Sequence, residues 1–292
     1  MESEELEVAD ASSSAYKELI AAAQQLASAG IENPQLESQL MMAKALDCSR
    51  SDIIAHPERP LSDSERNAFH LMVDKRASRY PLAYILGKKE FYGLDIEVAP
   101  GVLIPRPETE ILVETAISRL SGRPMIADIG TGSGAIAVAI ASNLPEAIVC
   151  ATEISPEALK VARRNISNYQ LSERVTLIEG DLLEPLTKFQ DEFDAIISNP
   201  PYIPSAEIDS LEPEVSMHEP RCALDGGPDG LDVYRRLMPE ALGLLKDCGF
   251  VAVEVGIDEA GDVKQIALSA GYREVDIVRD LAEIERVVVA CR

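Results

Sequence analysis

Between residues 13 and 80, apolar positions recur every three to four residues, the period of helices that bury one face. Tyr16, Leu19, Ile20, Ala23 and Leu26 form the first stripe, and Gly30 is placed to stop it. Asn33-Pro34 then reads as an N-cap followed by proline at the first helical position of a second helix, with Leu36, Leu40, Ala43 and Leu46 as its stripe. Ser62 or Asp63 caps a third helix, which runs through Phe69, Leu71 and Met72 towards Arg79 and ends at Tyr80-Pro81. The period changes over 82–104, where Ala83-Tyr84-Ile85-Leu86, Gly87-Lys88-Lys89 and Glu90-Phe91-Tyr92 predict a β-hairpin acting as a connector.

From about 107 onwards, short apolar runs alternate with helical patterns. Strands are predicted at 125–129, 148–152, 175–178, 195–198 and 250–255, and helices at 108–120, 135–143, 156–169, 231–245 and 259–270. This alternation predicts a parallel, doubly wound α/β sheet. Residues 274–278 and 287–290 follow each other with no helix between them, which predicts a terminal hairpin and an antiparallel strand at the sheet. The chain thus divides into an acidic, disordered tail (1–12), a helical domain (13–81), a hairpin connector (82–105) and an α/β domain (106–292).

Composition narrows the picture. A chain of 292 residues with 46% hydrophobic residues can bury a large core. Its net charge of −23 works against binding nucleic acid, whose phosphates are held by Lys and Arg. Cys48, Cys150, Cys222, Cys248 and Cys291 are scattered without a Cys-x-x-Cys pair, as suits thiols filling cores in a reducing cytoplasm. His56, His70 and His218 do not cluster with them, so no metal site is expected. No run of about 20 apolar residues spans a membrane, and the acidic start is unlike a signal or transit peptide. A cytoplasmic location is expected.

The predicted strand Met125-Ile126-Ala127-Asp128-Ile129 runs into Gly130-Thr131-Gly132-Ser133-Gly134 and then an apolar helix. Glycines there permit tight turns and close approach of a ligand, and the helix N-terminus beyond suits an anionic group. The loop also satisfies the dinucleotide pattern GxGxxG/A, which reads as NAD binding. Glu153, ending the next strand, suits a ribose diol in either class of nucleotide. Asp128 tilts the balance, because a carboxylate there suits the ammonium of a methionine moiety and repels a pyrophosphate.

Asn199-Pro200-Pro201-Tyr202 sits directly after the strand ending at Ser198, and ligands of open α/β sheets bind outside the carboxyl ends of strands. Asn-Pro and Pro-Pro are also common breakers, and a stiff turn is the plain alternative. The chemistry favours methylation of a planar nitrogen. Its lone pair is delocalised, and two acceptors, the Asn199 side-chain oxygen and the Pro200 carbonyl, can hold its hydrogens and aim the developing lone pair at an electrophile. Tyr202 can stack on the planar group. With the glycine loop upstream, these residues predict an S-adenosylmethionine-dependent methyltransferase.

Together the motifs resemble the HemK/PrmC family of protein-(glutamine-N5) methyltransferases, which modify peptide chain release factors. The resemblance covers Pro81-Leu-Ala-Tyr-Ile-Leu-Gly87, Glu90-Phe-Tyr-Gly93, Leu103-Ile-Pro-Arg-Pro-Glu-Thr-Glu110, the glycine loop, Gly180-Asp181, Ser198-Asn-Pro-Pro-Tyr-Ile203 and Glu219-Pro-Arg-Cys-Ala-Leu-Asp-Gly226. It implies a seven-stranded Rossmann-like class I methyltransferase domain joined by a β-hairpin to a small helical domain that recognises the substrate. The implied partner is a class I release factor, modified at the glutamine of a Gly-Gly-Gln tripeptide, with no direct part for nucleic acid or membrane. Carried over by residue, Gly130–Gly134 wrap the methionine part of S-adenosylmethionine, Glu153 holds its ribose, and Gly180-Asp181-Leu182 flank its adenine. Asn199 lies between cofactor and glutamine, and Pro200, Pro201 and Tyr202 complete the glutamine pocket. Glu153 stands where Asp is frequent and Leu182 where an aromatic is often found. Competing readings are glutamine methylation of a large-subunit ribosomal protein, a nucleic-acid N-methyltransferase, and an NAD-dependent oxidoreductase. The Arg-Pro-Glu-Thr-Glu run speaks for release factors, while the contacts of Arg106, Glu108 and Thr109 do not follow from sequence.

Overall fold

Leu26, Met41, Met42 and Phe69 are fully buried together and make the centre of the first of two compact units, which part between Gly87 and Lys88. The computed structural model describes residues 14–292, so the acidic stretch expected at 1–12 lies outside the described residues. The first unit consists of α1 (Ala15–Ser28), α2 (Pro34–Ala45), α3 (Arg50–Ala55), α4 (Asp63–Ala77) and α5 (Leu82–Leu86). Helix α4 starts where Ser62 forms a capping box with Glu65, each side chain accepting from the other's backbone N–H. A second capping box, Ser49 with Asp52, starts α3, a helix that the apolar pattern does not predict.

Two expectations are corrected here. The stripe expected for α2 holds at Ala43 and Leu46, which are buried, but Leu36 is exposed and Leu40 only half-buried, because Ser38, Met41 and Met42 take the buried face, the two methionines in one core with Phe69. Residues 82–86 form helix α5 and not the first arm of a hairpin. Pro81 supplies the N-cap, and Gly87, in the left-handed region at φ 76°, closes the last turn.

The hairpin lies one step later, at β1 (Lys88–Phe91) and β2 (Leu94–Glu97), with Tyr92 and Gly93 at φ 52° and 72° in the two-residue turn. It opens the second unit, which continues with α6 (Thr109–Arg119), β3 (Met125–Ile129), α7 (Ala135–Asn143), β4 (Ile148–Glu153), α8 (Pro156–Asn168), β5 (Val175–Glu179) and β6 (Phe193–Ser198). After these come α9 (Pro213–Ser216), α10 (Asp232–Leu242), β7 (Leu245–Glu254), α11 (Ala260–Ala270), β8 (Glu274–Arg279) and β9 (Glu285–Cys291).

Among the described residues the main sheet has seven strands in the order β5-β4-β3-β6-β7-β9-β8. Strands β3 to β7 are parallel, and β9 runs antiparallel between β7 and β8, so the terminal hairpin is present and inserts its last strand next to β7. Apolar cores form on both faces of the sheet, which is why its strands read as continuous apolar runs. The strand order reverses at β3, whose neighbours are β4 on one side and β6 on the other. Loops leaving the carboxyl ends of these strands therefore diverge and open a crevice. Cys150 is buried, Cys48 and Cys291 are partly buried against apolar cores, and Cys222 and Cys248 are exposed, so the expectation that the thiols fill cores holds for three positions and fails at the last two named. Among the described residues no helix is long and apolar enough to cross a membrane.

Candidate active site

The crevice is a cavity of about 330 Å³ within the second unit, lined by the loops that follow β3, β4, β5 and β6 and by residues 101–109 and 220–225. The loop after β3 keeps Gly130, Gly132 and Gly134 at φ 70°, 57° and 81°, a region that side-chain-bearing residues avoid. The Thr152 carbonyl fixes the turn by accepting from Gly130 N and Thr131 N, both at 2.9 Å. Gly134 caps α7 without a side chain, and the first-turn residues Ala135 and Ile136 face the cavity, so this end of the helix is suited to an anionic group.

Asp128 and Glu153 both serve this loop. Asp128 is fully buried and outside the cavity lining. Its Oδ2 accepts from the Thr131 hydroxyl at 2.5 Å and from Ala137 N at 3.1 Å, while Oδ1 is buried with no hydrogen-bond partner. Burial pushes its pKa up to about 7 against those two bonds, with the nearby Glu153 adding to the rise. Glu153 faces the cavity. Its Oε2 accepts from Gly132 N and its Oε1 from Ser155 N, each at 2.8 Å, and each oxygen keeps a lone pair for a hydroxyl donor. Ile154, 61% exposed, and Leu182, in the left-handed region at φ 46°, supply apolar wall nearby. Asp181, also in the lining, is ion-paired with Arg236 at 2.6 Å.

Asn199 and Pro201 line the cavity from the end of β6, whereas Pro200 is buried and Tyr202 turns away from the lining. The Asn199 amide donates from Nδ2 to Thr109 Oγ1 at 3.0 Å, which leaves its Oδ1 as an acceptor. Among the described residues no backbone donor bonds the Pro200 carbonyl. The Tyr202 hydroxyl donates to Glu254 Oε1 at 3.4 Å, and burial raises its pKa above the usual phenol value. Of the residues expected from sequence, the structure therefore brings Gly130, Thr131, Gly132, Ser133, Glu153, Asp181, Leu182, Asn199 and Pro201 to one cavity. Asp128, Gly134, Pro200 and Tyr202 stand behind it.

Arg106, Thr109, Glu219 and Glu254 join the site without having been given roles by the sequence. Arg106 lines the cavity and donates to Glu219 Oε1 at 2.5 Å, and Glu219 Oε2 accepts from Ile104 N at 3.0 Å. The two selective sequence blocks, around Arg106 and around Glu219, are thus tied together by one carboxylate that is almost wholly buried. Glu219→Ala strips Arg106 of its counter-charge and leaves the Ile104 N–H unpaired. It is expected to cost about 2 to 3 kcal/mol of stability, read as a lowered urea midpoint at constant m-value. A midpoint equal to that of the unaltered protein contradicts this account.

Comparison with known proteins agrees with this architecture. Residues 18–87 match the family model described as the PrmC N-terminal domain, and residues 107–213 match the methyltransferase small domain. Among solved structures, a methyltransferase from Pyrococcus furiosus superposes with a TM-score of 0.53 at 24% identity, covering 78% of this chain and 98% of that one. The hMettl16 catalytic domain, solved in complex with MAT2A 3'UTR hairpin 6, gives a TM-score of 0.56 at 20% identity over 75% of this chain and 81% of that one. Both show the class I methyltransferase fold and nothing narrower. Release factor glutamine methyltransferase from Moorella thermoacetica is 45% identical over 93% of this chain and 96% of its own. The protein of the same name from Geobacter sulfurreducens is 45% identical over 90% and 91%. By this similarity over nearly its whole length, the chain belongs to the release factor glutamine methyltransferase family.

Proposed function

We propose that this protein transfers a methyl group from S-adenosylmethionine to the side-chain amide nitrogen (N5) of the glutamine in the Gly-Gly-Gln tripeptide of class I release factors, in the cytoplasm. The observation that carries the reading is Asn199, set on the wall of the glycine-loop cavity with its Nδ2 committed to Thr109 and its Oδ1 left to accept. We assign recognition of the release factor to the helical region expected at 13–81.

The residues present fit the cofactor. A loop held open by three positive-φ glycines, an uncapped helix end, a carboxylate with one spare lone pair on each oxygen and two apolar side chains match a zwitterionic amino acid, a ribose and an adenine. When bound, S-adenosylmethionine supplies an electrophilic sulfonium methyl that needs no activation by the protein. Asn199 Oδ1 and the Pro200 carbonyl accept the two hydrogens of the glutamine amide, which fixes its plane and aims the nitrogen lone pair at the methyl. No strong base is required, because the methylated nitrogen is acidic and sheds its proton to these acceptors or to water. Asp128, behind the loop, acts on the cofactor site through Thr131 and the first turn of α7.

The test is incubation with a class I release factor and methyl-labelled S-adenosylmethionine, followed by peptide mass mapping. Label is expected on the Gly-Gly-Gln peptide. Its absence there, or its appearance on a ribosomal protein only, overturns the reading.

A further inference from the structure

The strand order lays the cavity out in a line. Strands β3, β4 and β5 are neighbours in the sheet, and each ends in residues that line the cavity. They are the glycine loop after β3, Glu153 at the end of β4, and Gly180-Asp181-Leu182 after β5. S-adenosylmethionine is linear as well, with its amino acid and its adenine on opposite sides of the ribose. With the glycine loop holding the amino acid and Glu153 the ribose, the base comes to Asp181 and Leu182.

The backbone at that end is fixed. Gly180 N donates to the Glu153 carbonyl at 3.0 Å, the Thr152 hydroxyl to the Leu182 carbonyl at 2.9 Å, and Glu184 N to the Asp181 carbonyl at 3.0 Å. These bonds leave the Asp181 carboxylate, 40% exposed, free to turn about its own side-chain torsions. Its direction is set from α10. Arg236 donates from Nη2 to Asp181 Oδ2 at 2.6 Å, across 55 positions of sequence. Apolar packing brings the helix there, because its Tyr234 and Leu237 share a core with Leu183 and Leu186 just after Asp181. Val233 and Arg236, one turn apart on the same side of α10, both line the cavity.

We propose that Arg236 is a positioning residue that selects the base of the cofactor: by holding Asp181 Oδ2 it leaves Oδ1 to accept from the exocyclic amine of adenine. The inference rests on S-adenosylmethionine as the cofactor and adds to that reading a residue that need not touch it. An ionised carboxylate can only accept, so it favours a base that carries N–H at that edge over one that carries none. Released from Arg236, the carboxylate turns into water, finds its hydrogen bonds there, and the preference fades. Both partners of the ion pair are about half exposed, so the pair adds little to folding and its effect falls on ligand selection.

The experiment is calorimetric titration of the full-length protein with two ligands, without release factor. One is S-adenosylhomocysteine, and the other is its purine riboside analogue, in which hydrogen replaces the exocyclic amine. The unaltered protein is expected to bind the adenine ligand about tenfold more tightly than the analogue, the effect of one hydrogen bond to a half-exposed carboxylate. Arg236→Met should reduce that ratio to about twofold, mostly by weakening the adenine ligand, with the urea midpoint unchanged. Arg236→Lys, which keeps a donor, should restore the ratio to within about twofold of the unaltered value. In an Asp181→Ala background, Arg236→Met should have no further effect on the ratio. A full tenfold ratio in Arg236→Met, or equal weakening of both ligands, overturns the inference, as does a protein that binds neither. The expected ratios in a protein that leaves the Gly-Gly-Gln peptide unlabelled sink the proposed function and leave the role of Arg236 standing.

Discussion

Asn199→Ala is expected to lower kcat by at least about 100-fold while leaving S-adenosylmethionine affinity within about threefold. The split follows from where the side chain stands. Its contact in the structure is with Thr109, and the glycine turn is held independently, by the Thr152 carbonyl, Asp128 and Glu153. Deleting the amide therefore leaves the loop that would hold the cofactor intact. What is lost is an acceptor for one amide hydrogen and, with it, the aim of the nitrogen lone pair. A glutamine amide is a poor nucleophile in any orientation, and the step depends on positioning more than on proton transfer, so an interaction realised as the methyl moves is removed. Rapid-quench turnover under saturating cofactor, together with calorimetric titration of the cofactor, checks the result. Equal losses in kcat and cofactor affinity would mean that Asn199 works mainly as a cofactor contact.

Much of the frame for this site was legible in the sequence, and the reasons are local. The runs at β3 and at α7 are continuous, apolar and bounded by glycine or polar residues, so both spans match the prediction residue for residue. Strand β7 begins five residues earlier than predicted, at Leu245 and not Phe250, because Leu245 continues the apolar pattern of the preceding helix and Lys246, Asp247 and Gly249 break the apolar run that marks the strand. In the structure they form a register shift opposite Phe193 and Ala195. Residues 82–86 read as a strand on the strength of Tyr84 and Ile85, yet Pro81 and the left-handed Gly87 close them into one helical turn or so. Here end-capping outweighed propensity. The second rank of the site was illegible for a different reason. Thr109 meets Asn199 across 90 positions of sequence, and Arg106 meets Glu219 across 113. No local pattern encodes such pairings; they follow from the strand order, which reverses at β3. The one signal available for Glu254 was an acid closing an apolar strand, a burial cost that calls for an explanation.

The block Ala223-Leu224-Asp225-Gly226 is where the second large effect is expected, although it lies after the Asn199-Pro200-Pro201-Tyr202 loop and contributes no group to the proposed chemistry beyond the cavity wall. It forms an isolated bridge with Ile203, the residue that follows that loop. Ile203 N donates to the Leu224 carbonyl and Gly226 N donates to the Ile203 carbonyl, both at 2.9 Å, and the Ser205 hydroxyl bonds Asp225 at 2.5 Å. Close backbone approach is the condition for this pairing. A Cβ on Gly226 would lie 2.6 Å from the Gly230 carbonyl oxygen and 2.7 Å from Tyr202 Cα, both backbone atoms that cannot swing aside. Gly226→Ala must therefore push the Tyr202 backbone outward, and the displacement passes through Pro201 and Pro200, whose fixed φ angles absorb little of it. A shift of about 1 Å in a positioning group costs on the order of 100-fold in rate, so kcat should fall by about that factor, alongside about 1 to 3 kcal/mol of stability from overpacking. Gly261→Ala is the control. It sits in α11 with nothing within 4 Å of an added Cβ, so it should leave turnover unchanged and stabilise by a few tenths up to about 1 kcal/mol. Turnover in Gly226→Ala as high as in Gly261→Ala would show that the loop carrying Asn199 does not depend on this buttress.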